Sequence, residues 1–371
     1  MTISICISLL RSDWSWTSSA DLRLSGDVIS FRRCVRPRVL LVLLLTATGC
    51  GAGTAPDASV RPEPSAPRST GAVTASTAAA PVSAPATSVV TAPSCADEAA
   101  AARRHTLCVT GGAETHGLVV ALHGRGSSAA EMRAMTGLDE VAAIHGLAVV
   151  YPEGLDARWR DDTLATPSAP TGDEDVVYLH DLITALRADP RIGTVPVALV
   201  GFSNGGSMAM RHAGRYPDDV AAVVSVAGQL PRDPAVQPTR RVPLLQIHGT
   251  ADPLRPFDTG IADQPDRGPD HPTPTLSTAE TVQAFVAQAA GNVHVEGPHD
   301  SDVDPTDGTT IRTERWIDDL GTAVVSRAIV GGGHRWPGAR IEPANGNAFG
   351  TTSRDLDATT DAIDFVLDVT R

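Results

Sequence analysis

The sequence of 371 residues predicts an α/β domain in which a mostly parallel sheet carries helices on both faces. From residue 95 onwards, apolar runs of strand length alternate with helical segments, and glycine-rich or polar turns follow the runs. The predicted helices are Asp173–Ala188, Gly206–Tyr216, Ser277–Ala290 and Asp357–Thr370. The formal net charge of −13 disfavours nucleic acid and anionic surfaces as partners.

One predicted strand is followed directly by a serine between glycines. The segment 201–206 reads Gly-Phe-Ser-Asn-Gly-Gly and lies between an apolar run, 195–200, and a predicted helix. A serine in G-x-S-x-G at such a turn is a nucleophile elbow, in which small residues let strand and helix approach closely. A glycine-rich turn without chemistry is the alternative, and the strand–turn–helix context favours a catalytic Ser203.

An aspartate and a histidine follow two later predicted strands. Asp252 comes after the apolar run 242–247, and His334 comes after the run 324–330 and a flexible triple-glycine loop. A nucleophile elbow requires the chain order serine, acid, histidine. The carboxyl ends of parallel strands meet at one edge of a sheet, where ligand sites form. The sequence therefore predicts a triad in which His334 takes the serine proton and Asp252 orients the imidazole.

A triad of this kind also needs donors for the negative charge of the tetrahedral intermediate. The backbone N–H of Asn204 is one expected donor, because it follows the nucleophile. The strand 117–122 ends in a small-residue loop, and the backbone N–H of Arg125 in that loop is the second. This chemistry requires neither a metal nor a cofactor.

Several motifs together resemble a known family. They are Leu-His-Gly at 122–124, Val-Val-Tyr-Pro-Glu-Gly at 149–154, Asp-Glu-Asp-Val-Val-Tyr-Leu at 173–179, the elbow at 201–206, His-Gly-Thr-Ala-Asp-Pro at 248–253, and Gly-Gly-His-Arg-Trp-Pro-Gly at 332–338. From Gly117 to Phe365 the chain resembles the secreted polyhydroxybutyrate depolymerase and feruloyl esterase family, close to LpqC-type lipoprotein esterases. The resemblance implies an α/β-hydrolase fold and the same triad, and it suggests Trp159 and Trp336 as walls of the substrate pocket.

The N-terminal region is typical of an export signal. A basic segment, 32–38, precedes a short apolar run, 39–45, and small residues lead to Cys50. The apolar run is too short to span a bilayer. We therefore expect residues 1–50 to be a signal region with a lipobox and Cys50 to carry a lipid, while plain secretion stays open. Residues 1–34 do not have the composition of a signal sequence, so we expect translation of the natural chain to start near Val35.

The mature chain divides into a stalk and one catalytic domain. Residues 51–94 consist almost entirely of Ala, Pro, Ser, Thr, Val and Gly, which predicts a disordered stalk. Residues 95–371 suffice for a single α/β core.

After removal of the signal, Cys95 and Cys108 remain besides Cys50. In an oxidising compartment these two would form a disulfide, and buried thiols are the alternative.

Two loops carry weaker signals. Asp300–Gly308 spaces carboxylates like a calcium loop, but Pro305 and Ile311 stand where that loop needs Gly and Glu, so a solvated acidic hairpin is expected. Pro256–Pro274 is a long insertion that forms either one wall of the cleft or a mobile surface loop.

These patterns predict a serine carboxylesterase outside the cytoplasm, at the cell surface or secreted. The expected substrates are small or oligomeric esters, either of hydroxyalkanoates or of feruloyl and acetyl type. Contact with a membrane is expected only through the lipid anchor, and no nucleic acid is expected. The alternatives are a cell-envelope acyltransferase on the same fold and a surface-binding lipoprotein without catalysis.

Overall fold

The computed structural model describes residues 92–100, 103–111, 114–166, 169–263, 272–341 and 346–370, together with two short N-terminal strands. The chain divides into two compact units, Met1–Val82 and Ser83–Arg371. In the first unit, β1 (Arg23–Leu24) and β2 (Asp27–Val28) pair antiparallel. The predicted lipidation site Cys50 and most of the predicted stalk lie outside the described residues.

The described residues of the second unit form one sheet of ten strands. The strands are β3 (Ser94–Ala100), β4 (Arg103–Val109), β5 (Gly117–Leu122), β6 (Leu147–Pro152), β7 (Val197–Phe202), β8 (Ala222–Val226), β9 (Leu244–Gly249), β10 (His294–Ser301), β11 (Thr310–Asp318) and β12 (Gly321–Val330). Their order across the sheet is β10-β11-β12-β9-β8-β7-β5-β6-β4-β3. The pairings from β12 to β6 are parallel, and antiparallel strands close both edges. The predicted mostly parallel sheet is confirmed.

In the described part of the chain, six helices cover the two faces of this sheet. They are α1 (Ala129–Thr136), α2 (Leu138–Ile144), α3 (Glu174–Ala188), α4 (Asn204–Arg215), α5 (Thr278–Val286) and α6 (Ala358–Thr370). Helices α3, α4 and α5 pack in one apolar cluster, and α1, α2 and α6 pack in the other. Strands β5, β6, β8 and β9 are buried at every position, which is why β5 and β6 read as continuous apolar runs, while β8 and β9 include the buried polar residues Ser225, Gln246 and His248.

The four helices predicted from sequence are present with small shifts at their ends. Helix α5 begins after Ser277, whose side chain forms a capping box with Glu280, and it ends at Val286, earlier than predicted. Helix α4 begins at Asn204, immediately after the serine of the elbow. None of the described helices has the length and apolar composition needed to cross a membrane.

The predicted disulfide is present. Cys95 on β3 and Cys108 on β4 are direct partners in the antiparallel pairing and are joined by a bond. Among the described residues, the only trio of candidate metal ligands contains these two cysteines together with Asp139, and the bond consumes both thiols. The bond therefore fastens the edge strand β3 to the rest of the sheet.

The acidic segment 300–308 connects β10 to β11 as a hairpin, as predicted. The side chain of Asp304 is ion-paired with Arg354 at 2.5 Å, and Asp307 accepts hydrogen bonds from the backbone N–H groups of Thr309 and Arg354. These contacts give the carboxylates protein partners and tie the hairpin to the segment before α6.

Candidate active site

Ser203 lies on a strained turn between β7 and α4. Its backbone has φ 55° and ψ −117°, and residues other than glycine rarely adopt such a positive φ. The N–H of Ser203 donates to Val226 O at 2.8 Å, which fixes the turn on the neighbouring strand. A methyl group at Gly205 would overlap the carbonyl of Leu122, and one at Gly201 would overlap the backbone of Gly205. The glycines of the predicted elbow are therefore required by the close approach of helix and sheet.

His334 and Asp252 reach Ser203 from the ends of two other strands. The Nε2 atom of His334 lies 2.8 Å from Ser203 Oγ, and its Nδ1 atom lies 2.7 Å from Asp252 Oδ2. Both His334 and Asp252 are buried. The structure thus brings the three predicted residues into one continuous hydrogen-bonded chain; their catalytic roles stay predictions.

The triple-glycine loop before His334 is held firmly, which corrects the expectation of a flexible loop. Gly333 N donates to Thr351 O at 2.8 Å, and His334 N donates to Phe349 O at 2.6 Å. A methyl group at Gly333 would overlap the Phe349 carbonyl. The glycine is needed there because two backbone segments touch.

The Asp252 carboxylate is fixed on both of its oxygens. Oδ1 accepts from the N–H groups of Leu254 and Arg255, each at 2.8 Å, while Oδ2 faces His334 and also His248 Nε2 at 3.3 Å. Burial alone would raise the pKa of Asp252, but hydrogen bonds with His248 and His334 outweigh it and hold that pKa well below its ordinary value. Asp252 is therefore ionised at neutral pH.

The His334 imidazole has the opposite balance. Burial lowers its pKa, and the hydrogen bond and negative charge of Asp252 oppose this only in part. The resulting pKa lies below the ordinary 6.5, so the ring is neutral at pH 7. A neutral imidazole whose Nδ1–H donates to Asp252 has Nε2 free to accept the Ser203 proton.

The two predicted oxyanion donors border the same cleft as Ser203. Asn204 is the first residue of α4, where backbone N–H groups have no acceptor within the helix. Arg125 lies in the loop after β5, and a Cβ added to the adjacent Gly124 would be 3.6 Å from Ser203 Cβ. These positions suit the donor roles, which stay predictions.

Trp159 and Trp336 do not form the pocket walls that were expected. Trp159 is fully buried; its Nε1–H donates to His123 O, and its backbone N–H donates to Asn204 Oδ1. Trp336 is also buried, donates to Thr359 Oγ1, and is not part of the cleft lining. Trp159 instead ties the loop after β5 to the start of α4. Its ring N–H holds the first and its backbone N–H holds the second.

The cleft above Ser203 has a volume of about 670 Å³ and a largely apolar lining. Its apolar side chains include Met135, Phe202, Leu254, Ile261, Ile341 and Phe349. Two of them, Leu254 and Ile341, remain 47% and 57% exposed, so the mouth of the cleft is itself apolar. Ile261 and Pro272 come from the insertion 256–274, which favours the prediction that this insertion forms one wall.

Sequence reasoning missed two polar residues of the site, His248 and Arg255. His248 lies in the His-Gly-Thr-Ala-Asp-Pro motif at the end of β9 and contacts Asp252 across the turn that follows, a contact that spacing along a strand and turn does not indicate. Arg255 borders the cleft beside Ser203. Its side-chain partners, Ser207 and Asp161, come from remote segments, so no local pattern could have indicated it.

A nucleophile turn at the carboxyl edge of a mostly parallel sheet defines the α/β-hydrolases as a class, and this chain has that architecture. Within the class, residues 104–265 match the family described as phospholipase/carboxylesterase. The chain is 41% identical over 254 residues to NocK of Nocardia uniformis subsp. tsuyamanensis, which is named as an esterase; the alignment covers 67% of this chain and 74% of NocK. The chain belongs to this family of ester-hydrolysing enzymes.

Solved esterase structures are also similar to this chain. Acetyl xylan esterase from Aspergillus awamori is 15% identical, with a TM-score of 0.44 over 71% of this chain and 94% of that chain. Esterase PE8 is 16% identical, with a TM-score of 0.43 over 71% of this chain and 97% of that chain.

Proposed function

We propose that this carboxylesterase works through an acyl-serine intermediate on Ser203. The observation that carries the proposal is the unbroken hydrogen-bonded chain from Asp252 through His334 to Ser203, with distances of 2.7 and 2.8 Å. A serine hydroxyl is a weak nucleophile unless a neighbouring base takes its proton. The neutral, oriented imidazole of His334 supplies that base.

Acylation forms one bond and breaks another. Ser203 Oγ attacks the ester carbonyl while its proton passes to His334 Nε2, and the negative carbonyl oxygen accepts from the N–H groups of Asn204 and Arg125. The intermediate then expels the alcohol, which leaves with the proton from His334. Asp252 stabilises the imidazolium between these two transfers.

Deacylation repeats the sequence with water. His334 takes a proton from a water molecule, and the oxygen attacks the acyl carbonyl. Ser203 then leaves with that proton, releasing the carboxylic acid and restoring the starting state.

We propose short hydroxyalkanoate oligomers, or feruloyl and acetyl esters, as substrates. The apolar cleft of about 670 Å³ can enclose an aryl or multi-unit acyl group, and its apolar mouth allows the chain to continue outward. A fully assembled triad argues against a role in binding alone.

We propose that the enzyme acts outside the cytoplasm, anchored through Cys50 or secreted. The disulfide between Cys95 and Cys108 supports an oxidising compartment. Mass spectrometry of the processed N terminus tests this: a diacylglyceryl group on Cys50 supports anchoring, an unmodified processed terminus supports plain secretion, and an unprocessed chain in the cytoplasm contradicts both.

The reaction is tested with the full chain and its Ser203→Ala variant on p-nitrophenyl acetate, p-nitrophenyl butyrate, methyl ferulate and 3-hydroxybutyrate oligomers. Loss of all turnover in Ser203→Ala is expected, while a control Ser301→Ala on the exposed strand β10 keeps wild-type rates. Retained turnover in Ser203→Ala would contradict the proposal.

The same assays with glycerol or trehalose present test for acyl transfer, because an acyltransferase forms a new ester in place of the free acid.

A further inference from the structure

We infer that Arg255 selects esters that carry a second, uncharged oxygen within a few atoms of the scissile carbonyl. The inference rests on the proposed function, since it takes Ser203 as the nucleophile. Arg255 borders the cleft together with Ser203 and His334, although only 5% of its surface is exposed. A buried guanidinium in a largely apolar cleft is a group that can fix the orientation of a substrate.

The guanidinium is bonded to helix α4, which begins directly after Ser203. Its Nη1 atom donates to Ser207 Oγ at 2.9 Å, and Ser207 lies one helical turn after Ser203, whose carbonyl accepts from Ser207 N at 3.1 Å. The backbone of Arg255 is fixed as well: its N–H donates to Asp252 Oδ1 at 2.8 Å, and its carbonyl lies 2.9 Å from His248 Nε2. Arg255 is therefore fixed at both ends, by its backbone in the loop after β9 that carries Asp252 and by its guanidinium on helix α4.

The charge of Arg255 is already balanced. Nη2 lies 3.6 Å from Asp161 Oδ2, and Asp161 is itself buried and accepts from Thr273 Oγ1 at 2.5 Å. Burial lowers the pKa of Arg255, while the charges of Asp161 and Asp252 raise it, and a guanidinium remains protonated in proteins. A carboxylate on the substrate would meet two buried carboxylates here, whereas an uncharged oxygen would meet a donor without that repulsion.

The guanidinium has donors to spare for such an oxygen. A guanidinium carries five N–H groups, and among the described residues its side-chain partners are Ser207 Oγ and the Asp161 carboxylate, so these two do not occupy all five donors. The other charged residues of the lining, Arg125 and Glu131, are exposed, and both come from the segment 124–135. A hydrogen bond to a charged group that only one of two substrates can make changes their relative rates by about 10- to 100-fold.

The test uses substrate pairs that differ by one oxygen. In the acyl series p-nitrophenyl butyrate is compared with p-nitrophenyl 3-hydroxybutyrate, and in the alcohol series ethyl butyrate is compared with 2-hydroxyethyl butyrate. The ratio of kcat/KM within each pair is measured for the full-length wild type, Arg255→Met and Arg255→Lys. Arg312→Met is the control, since Arg312 also pairs with an aspartate, at 2.8 Å, but at an exposed position of β11 and outside the cleft lining.

We expect the wild type to prefer the oxygenated member of at least one pair by about 10- to 100-fold. Arg255→Met should bring that ratio close to one, Arg255→Lys should retain part of it, and Arg312→Met should leave it unchanged. Because the readout is a ratio within each variant, a general loss of activity cancels. In Arg255→Met the buried Asp161 carboxylate loses its positively charged partner. The double variant Arg255→Met/Asp161→Asn removes that carboxylate too, and its kcat/KM ratio should also be close to one.

The outcomes separate this inference from the proposed function. A wild-type ratio near one in both series, or a ratio that survives in Arg255→Met, would overturn the role of Arg255 while Ser203-dependent turnover persists. A strong Arg255-dependent preference for the p-nitrophenyl half-ester of succinic acid over both uncharged substrates would overturn the choice of an uncharged oxygen. Turnover that survives in Ser203→Ala would overturn the proposed function, and the inference with it.

Discussion

Replacing Asp252 by asparagine changes one atom of the triad at a position that the structure determines. Oδ1 of Asp252 accepts from two backbone N–H groups, those of Leu254 and Arg255, each at 2.8 Å. In Asp252→Asn the amide oxygen must keep that position, because an NH2 group there would face two donors. The NH2 group then replaces Oδ2 and faces His334 Nδ1, where the 2.7 Å hydrogen bond forms in the wild type.

The imidazole can adapt only by changing tautomer. With an NH2 group opposite, Nδ1 becomes the acceptor, and the proton moves to Nε2, the atom that lies 2.8 Å from Ser203 Oγ. His334 then presents a hydrogen to Ser203 and cannot take its proton. The corresponding change in a serine protease triad lowers kcat by about 10,000-fold, which corresponds to about 5.4 kcal/mol of barrier. We expect a loss of that order.

The assay is steady-state hydrolysis of p-nitrophenyl butyrate by the full chain at pH 7.5, with circular dichroism to confirm folding. Asp258→Asn is the matched control, because Asp258 is exposed and lies in the same loop region. The control should retain wild-type kcat. A folded Asp252→Asn protein with less than about tenfold loss of kcat would refute the assignment of Asp252 as the orienting acid.

Three further predictions concern pH, the elbow and the disulfide. Because burial lowers the pKa of His334, kcat/KM should stay level as pH falls towards 6.5 and decline only below it; a midpoint above 6.5 in the pH profile would contradict this. Gly205→Ala should lower the thermal midpoint of unfolding and the yield of soluble enzyme, since its methyl overlaps the Leu122 carbonyl, at a cost of about 1–3 kcal/mol; an unchanged midpoint would argue against a tight elbow. The double variant Cys95→Ser/Cys108→Ser, which opens a bridge between residues 13 apart, should lose about 3 kcal/mol in urea unfolding, and equal midpoints with and without the bond would refute this.

The sequence was informative wherever a local pattern corresponds to one backbone geometry. The elbow around Ser203 combines a strand, a turn and a helix within a few residues, so its strain and its need for glycine could be foreseen. Asp252 and His334 could be placed because each follows the carboxyl end of an apolar run, and parallel strands bring those ends together. The pairing of Cys95 with Cys108 could be predicted from the number of cysteines and the expectation of an oxidising compartment.

What the sequence could not supply depends on contacts between remote segments. A tryptophan near a catalytic strand end can face the cleft or the core, and Trp159 and Trp336 face the core because their N–H groups find partners there. The glycines before His334 looked like a source of flexibility, yet they allow close backbone packing against residues 349–351. Strand β10 was missed because it is exposed along its whole length and therefore has no apolar alternation.

The most direct test of the account is the site of acylation. The full chain is mixed with p-nitrophenyl acetate, quenched in acid within milliseconds, and analysed by intact mass and peptide mapping. The account predicts one acetyl group per chain, located on Ser203 in the peptide that contains segment 201–206, and none in Ser203→Ala. An acetyl group on another residue during productive turnover, or turnover by Ser203→Ala, would contradict it.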